Sequence, residues 1–300
     1  MILVAGGSGF IGAAVVRRLV AGGHEVAVMT AHRERSASRI RSLGAKSVHG
    51  DILDPGSIDW AVKGARAVVQ ALTFPTFPLE KPRRRFTFEE FDHLGTELLV
   101  RAAARAGTER YVYVSGSGAA PGAEKSRHRA KWRGEEAVRA AGLAHVILRP
   151  SWVFGPEDPA LNKFVAFHRF LPFVPVIGDG AQRLQPVFVG DVAEVVARAS
   201  LVDGPEGTFE IGGPDVMTMN EVLSTMMEVR GRRKPLIHFP AFLPQLAGFF
   251  LQILPKPPLS PAAVDFATSE ALADTGPLLQ AFPGLRLTPV REGLATYLSP

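Results

Sequence analysis

The 300-residue sequence has no cysteine. Disulfides, thiol nucleophiles and cysteine-bound metals are therefore excluded, and the absence fits a reducing compartment. Tyrosine is scarce: Tyr111, Tyr113 and Tyr297 are the only three. No stretch reaches the roughly 18 uninterrupted apolar residues of a membrane-spanning helix. The first residues, Met1-Ile2-Leu3-Val4-Ala5, run straight into glycines. They lack the basic start, long apolar run and small-residue cleavage site of a signal peptide, so a cytoplasmic protein is expected. Few carboxylates gather anywhere a ligand cleft is expected, and no metal site is expected.

The remaining composition is that of an ordinary globular chain, with 46% hydrophobic and 21% charged residues and a net charge of +5. Basic residues are scattered apart from Arg83-Arg84-Arg85 and the run from Arg230 to Lys234. No basic stripe with interleaved aromatics is legible in the sequence, so nucleic acid is not an expected partner.

Short apolar runs alternate with helical patterns through the first half. Strands are predicted at 2–5, 25–29, 46–49, 67–72, 110–115 and 144–148, and helices at 10–21, 38–43, 58–63, 88–106 and 129–141. Such alternation implies right-handed βαβ units on a parallel sheet. Beyond Pro150 prolines thicken and aromatic residues cluster. A helix over 190–200, a strand over 207–211 and a helix over 218–229, capped by Thr218 or Asn220, are predicted there. The segment from Thr73 to Phe86, rich in Pro and Arg, reads as a mobile loop.

Between the first strand and the first helix lies Gly6-Gly7-Ser8-Gly9-Phe10-Ile11-Gly12, which satisfies both GxxGxxG and GxGxxG. One glycine permits a tight turn with positive φ, another lets the backbone approach a pyrophosphate, and the last allows close helix packing. The N–H groups of the helix start, aided by its dipole, then face the phosphates. The expected fold is α/β, a Rossmann-type doubly wound parallel sheet with a smaller C-terminal α/β substrate domain. Residues 1–150 form the dinucleotide-binding domain and 151–300 mainly the substrate domain, with about 184–202 returning to the first. An acidic residue ending the second strand would receive the ribose 2′-hydroxyl of NAD. None stands there; His32, Arg33 and Arg35 do. A guanidinium suits a 2′-phosphate, so NADP is the expected cofactor, with NAD the alternative.

Three further segments add specificity: Gly50-Asp51-Ile52-Leu53-Asp54, Leu148 through Pro156, and Val176 through Ala193. With the glycine turn, they make most of the chain resemble the extended and atypical short-chain dehydrogenase/reductases. The nearest resemblance is to the subgroup containing the nucleotide-binding accessory subunit of complex I. The resemblance implies that Asp51 and Ile52 meet the adenine and that Ala71, Leu72 and Pro150 also line the cofactor. It implies a Tyr-x-x-x-Lys pair too, the Tyr hydroxyl acting as acid or base and the Lys binding the nicotinamide ribose. Lys131 occupies the Lys position, but Arg127 stands where the Tyr belongs. An arginine cannot exchange a proton near neutral pH. Ser117 matches the substrate-orienting Ser, and Asp92 replaces the usual Asn. His128 is adjacent to the Tyr position but about 100° around the helix.

The very apolar segment 240–254 reads as a buried helix of the substrate domain, or as a lid touching a lipophilic ligand, a membrane or a protein partner. Three functions remain open on sequence: an NADP-dependent oxidoreductase acting on a hydrophobic small molecule, with Lys131 and Ser117 as its catalytic residues; a non-catalytic dinucleotide-binding structural or redox-sensing protein; and, more weakly, a sugar-nucleotide epimerase or dehydratase.

Overall fold

The structure, a computed structural model, describes residues 1–240, 242–243, 264–265 and 268–298. The chain forms two compact units. One comprises Met1–Pro150, Val189–Ile211 and Ala273–Arg286; the other comprises Ser151–Phe188, Gly212–Leu272 and Leu287–Pro300.

The first unit is built on strands β1 (Ile2–Ala5), β2 (Val26–Thr30), β3 (Lys46–His49), β4 (Ala67–Gln70), β5 (Arg110–Val114) and β6 (Ala144–Pro150). With Gly207–Ile211 they make a seven-stranded sheet in the order 207–211, β6, β5, β4, β1, β2, β3. Every pairing is parallel. All residues of β1, β4 and β5 are buried, as both faces of a parallel sheet must be, and this explains their unbroken apolar runs. The strand order reverses between β1 and β4, which opens a crevice at their carboxyl ends.

Five helices alternate with these strands: α1 (Phe10–Ala21), α2 (Arg33–Ser42), α3 (Pro55–Ala61), α4 (Gly95–Arg105) and α5 (Ser126–Ala140). The helix Val189–Ala199 packs on α1 within the same unit, where Glu194 binds both Arg18 and Arg198. α3 begins earlier than the expected 58–63 because Asp54 caps it: Asp54 Oδ1 accepts the Gly56 N–H at 3.1 Å, and Pro55 fills the first position, where no N–H is needed.

Four helix starts differ from the sequence expectation, the first being α3, which begins at Pro55 rather than Ile58. α2 begins at Arg33 rather than Ser38, its first turn closed by Ser36 N–H donating to the His32 carbonyl at 3.0 Å. α5 begins at Ser126 rather than Arg129, because the Arg129 guanidinium reaches back to the carbonyls of Ala123 and Glu124 and ties down the first turn. The helix predicted over 88–106 opens with a wide π-helical turn, Glu89–Leu94, before α4. At their junction a Cβ on Gly95 would lie 2.5 Å from the Ile52 side chain, so the backbone is pressed against the core there.

The segment from Thr73 to Phe86 packs more firmly than its composition suggests. Phe74 is fully buried and stacks edge-on with Phe77, Phe88 and Phe91, and Glu80 accepts the Phe88 N–H at 2.8 Å. Arg85 adopts the left-handed conformation and forks onto Glu90.

The second unit has its own core around Trp152, Phe154, Val174, Val176, Leu223 and Met226. Parallel strands Val174–Ile177 and Leu236–Phe239 pair within it. Its helix Met219–Val229 opens with a reciprocal capping box between Thr218 and Glu221, so Thr218 is the cap. Asn220 instead bridges the Asp179 carbonyl and His238. Most of the apolar segment 240–254 lies outside the described residues. No helix among the described residues is long and apolar enough to cross a membrane.

Asp158 ends the loop before the helix Leu161–Phe170 and accepts the N–H groups of Ala160 and Leu161 at 2.7 and 2.9 Å. Burial dominates these bonds and pushes its carboxyl up to about 6. A raised folded-state value means stability is fullest below the unfolded carboxylate range and is lost as pH rises toward 6. Asp158→Asn should therefore remove a fall of roughly 2–3 kcal/mol between pH 4 and 6. Denaturant titrations of both proteins across that range check this; parallel curves would refute it.

Candidate dinucleotide site

The glycine turn joins β1 to α1, and each glycine does different steric work. Gly6 has φ +87°, and a Cβ there would lie 2.4 Å from the Ala71 carbonyl oxygen. A Cβ on Gly7 would strike Val28 and Val16, so this residue seats the turn on β2 and α1. Gly12 brings α1 against the turn: its Cβ would lie 2.1 Å from the Gly6 oxygen. Gly9 is the open one. Its N–H donates to the Gly6 carbonyl at 2.9 Å, and the one atom near its Cβ position is that same oxygen, 3.3 Å away. It stands at the N-cap of α1, where no side chain caps the helix. The first-turn N–H groups, from Phe10 to Gly12, are therefore left to an outside acceptor. This is a cradle that a Cβ would fill, and it fits a diphosphate.

The other expected contacts follow the carboxyl ends of neighbouring strands. Ala71 and Leu72 leave β4 directly beside Gly6. After β3, Asp51 Oδ1 accepts the Leu53 N–H at 3.0 Å, and Ser57 accepts the Asp51 N–H at 2.9 Å, fixing the turn. Ile52 turns its side chain into the core, so only its main chain remains for a ligand. After β2, His32 stands at the N-cap position of α2 with no side-chain capping bond, and Arg33 and Arg35 are exposed beyond it. Arg33 also borders a cavity of about 390 Å³ with Ser47, His49, Asp54 and Ser57.

α5 carries the remaining residues. Because it starts at Ser126, Arg127 and Lys131 are both helical and one turn apart on one face. The Lys131 ammonium donates to Asp92 Oδ1 at 2.8 Å and to the Val114 carbonyl at 3.1 Å, and lies 5.1 Å from the Tyr113 ring centre. Asp92 is buried, and burial raises its carboxyl above the usual range although Lys131 pulls it down. The wide turn sets Asp92 there. Its carbonyl accepts from Thr96 Oγ1 at 2.9 Å and Tyr113 Oη at 3.2 Å. A Cβ on Gly134 would lie 2.2 Å from the same oxygen, which shows how closely α5 approaches. Burial raises both Tyr111 and Tyr113 far above the ordinary phenol range, and each is tied to a buried acceptor, so neither can serve as a proton donor to a ligand.

Ser117 donates its N–H to the Pro150 carbonyl at 3.0 Å, joining the loop after β5 to the end of β6. The His128 ring lies over this loop, within 2.7 Å of a Cβ position on Gly118, and its Nε2 accepts from Arg127 Nε at 3.1 Å. One element went unread in the sequence: Glu135, one turn after Lys131, is fully buried. It accepts Ser115 Oγ at 2.7 Å, both nitrogens of the Arg149 fork at 2.8 and 2.6 Å, and Arg139 at 2.7 Å. The spacing of a carboxylate four residues beyond Lys131 was the signal available for it. It clamps α5 to β5 and β6 and so fixes where Lys131 points.

Comparison with known proteins shows the family and the fold. Residues 6–168 match the NAD(P)H-binding family model. The Arabidopsis thaliana protein NADH dehydrogenase (ubiquinone) 1 alpha subcomplex subunit 9, mitochondrial, is 33% identical over 233 residues, covering 75% of this chain and 57% of that one. The chain thus spans little more than half the length of these mitochondrial relatives. A ceramide reductase of Caulobacter vibrioides is 27% identical over 80% of this chain and 74% of its own. The Thermotoga maritima UDP-glucose 4-epimerase shares the fold at TM-score 0.77 and 20% identity, covering 99% of this chain and 97% of that one. The chain belongs to the NAD(P)H-binding family, as an atypical short-chain dehydrogenase/reductase with a Rossmann dinucleotide-binding domain.

Proposed function

We infer that the protein holds NADP(H) as a resident ligand and does not run the tyrosine-dependent proton relay of its family. One observation carries this reading: Lys131 is ion-paired with the buried Asp92, and the residue one turn before it is Arg127. A lysine neutralised in this way does not lower a neighbouring hydroxyl's pKa, and the hydroxyl itself is missing. Gly6 to Gly12 hold the diphosphate. Asp51 and the Ile52 main chain meet the adenine; Ala71, Leu72 and Pro150 line the pocket; and Lys131 retains one donor for the nicotinamide ribose. His32, Arg33 and Arg35 surround the adenosine 2′-position. The oxidation state of the ligand would then be read by a protein partner, a role in keeping with relatives that are named as subunits of NADH dehydrogenase.

A second reading is favoured by Ser117 and Lys131 being retained and by a reductase among the relatives. On it, the cofactor supplies a hydride to a hydrophobic carbonyl, enone or quinone, Ser117 orients the substrate oxygen, and the second unit serves as the substrate domain. Mass spectrometry of the protein as purified, with NADPH oxidation measured over carbonyls, enones and quinones, separates the two. Bound NADP(H) without turnover is expected; steady-state oxidation would establish the reductase instead.

Cofactor choice has its own test. Arg33→Ala with Arg35→Ala should weaken NADPH binding about 10-fold or more, from the loss of charged hydrogen bonds to a phosphate, and leave NADH unchanged. Equal losses for both nucleotides would remove these arginines from the 2′-phosphate.

A further inference from the structure

The second unit has a feature that dinucleotide binding does not use. No acidic residue occurs between Asp158 and Asp179, nor between Glu228 and Asp265. The first stretch carries Lys163, Arg169 and four phenylalanines at 164, 167, 170 and 173; the second opens with Arg230, Arg232, Arg233 and Lys234. The fold lays these two stretches together. Val174–Ile177 pairs with Leu236–Phe239. Lys234 Nζ donates to the carbonyls of His168 and Leu171, each at 2.6 Å. His168, buried at the join, meets the Arg232 carbonyl at 2.6 Å and Arg230 Nε at 3.1 Å.

Apolar side chains stand exposed among these cations. Phe170 is 76% exposed and Phe167, one helical turn earlier, 38%. The Arg169 guanidinium lies 5.3 Å from the Phe170 ring centre. Ile237, Phe242 and Leu243 are exposed as well. The adjoining carboxylate, Glu228, is already shared between Arg233 and Arg291. Burying Phe170 away from water would stabilise the fold, yet it projects outward beside a charge that attracts anions. Aromatics interleaved with more cations than carboxylates are the composition of a surface that rests at a lipid headgroup layer.

We propose that this face, formed by the helix Leu161–Phe170 and the 230–234 segment, docks on an anionic lipid surface. The cations meet the lipid phosphates, and Phe167 and Phe170 enter the boundary with the acyl chains. Single-stranded nucleic acid also pairs cations with aromatic rings, but base stacking makes no use of the exposed aliphatic Ile237 and Leu243, which an acyl boundary accepts.

The test is flotation of the full chain with vesicles of phosphatidylcholine alone, or with roughly a third of the lipid replaced by phosphatidylglycerol. Binding should be at least about 10-fold stronger to the anionic vesicles and should weaken in about 0.5 M salt. Replacing Arg169 and Arg232 together by Gln should lower it roughly 30-fold. Replacing Phe167 and Phe170 by Ser should lower it about 10-fold or more at unchanged charge. All four side chains are solvent-facing or nearly so, and melting curves check that the variants fold. No binding to anionic vesicles, equal binding to both, or insensitivity to either double replacement overturns the proposal. So does loss of vesicle binding when equimolar DNA is added, which would make the face a general polyanion site.

Discussion

Adding a single methyl group to Gly12 should nearly unfold the dinucleotide-binding unit, whereas adding one to Gly9 should leave it folded but unable to bind. The two residues are three apart in one motif, and the geometry separates them. At Gly12 the new Cβ would sit 2.1 Å from the Gly6 carbonyl oxygen and 2.9 Å from the Gly7 Cα. Both are backbone atoms that cannot swing aside. α1 would have to lift from the turn, and about 3 kcal/mol or more is expected to be lost. At Gly9 the nearest atom is 3.3 Å away, a contact relieved by a shift of a few tenths of an ångström. The methyl would instead occupy the surface the diphosphate approaches, and affinity should fall about 100-fold. Denaturant unfolding and calorimetry with NADPH read the two quantities separately. Undiminished affinity in Gly9→Ala would mean that the phosphates lie elsewhere.

Lys131→Met should cost roughly 3–5 kcal/mol, although the side chain is replaced by one of similar length. The loss comes from Asp92, which is left buried with no counter-charge. Asp92→Leu in the same background should recover most of it, because an apolar pair carries no desolvation penalty. The pH dependence has a definite sign. Burial raises the Asp92 carboxyl, and once Lys131 no longer opposes this the protonated form fits the folded protein best. The Lys131→Met protein should then be closest to wild type in acid and weaken as pH rises toward neutrality. A deficit that stays constant with pH, or a double replacement no better than the single one, would show that Lys131 acts through packing instead.

The sheet was largely legible because buried parallel strands must be continuously apolar, and runs such as Leu3-Val4-Ala5 and Val68-Val69 are unmistakable against their polar surroundings. Helix starts were less legible. What begins α5 is Arg129 reaching back to carbonyls of the preceding loop, a contact with no apolar period to reveal it. The wide turn before α4 was hidden for a related reason: it answers to the Ile52 side chain, 43 positions from Gly95 in the chain. The positions of Lys131, Arg127 and Asp92 could be read singly. That Asp92 closes on Lys131 could not, since it depends on Gly134 letting α5 approach the turn within van der Waals contact. The function proposed above rests on that pairing more than on any residue alone.

The sheet's composition from separated stretches has a practical consequence. A fragment cut after Pro150 would hold every glycine of the motif and still be incomplete. It would lack Val189–Ala199, so the outer side of α1 would lose its covering. It would also lack Gly207–Ile211, turning β6 from an interior strand into a bare margin with unpaired amides. Such a fragment should self-associate through that margin, and the nucleotide pocket can be studied only with the later chain attached.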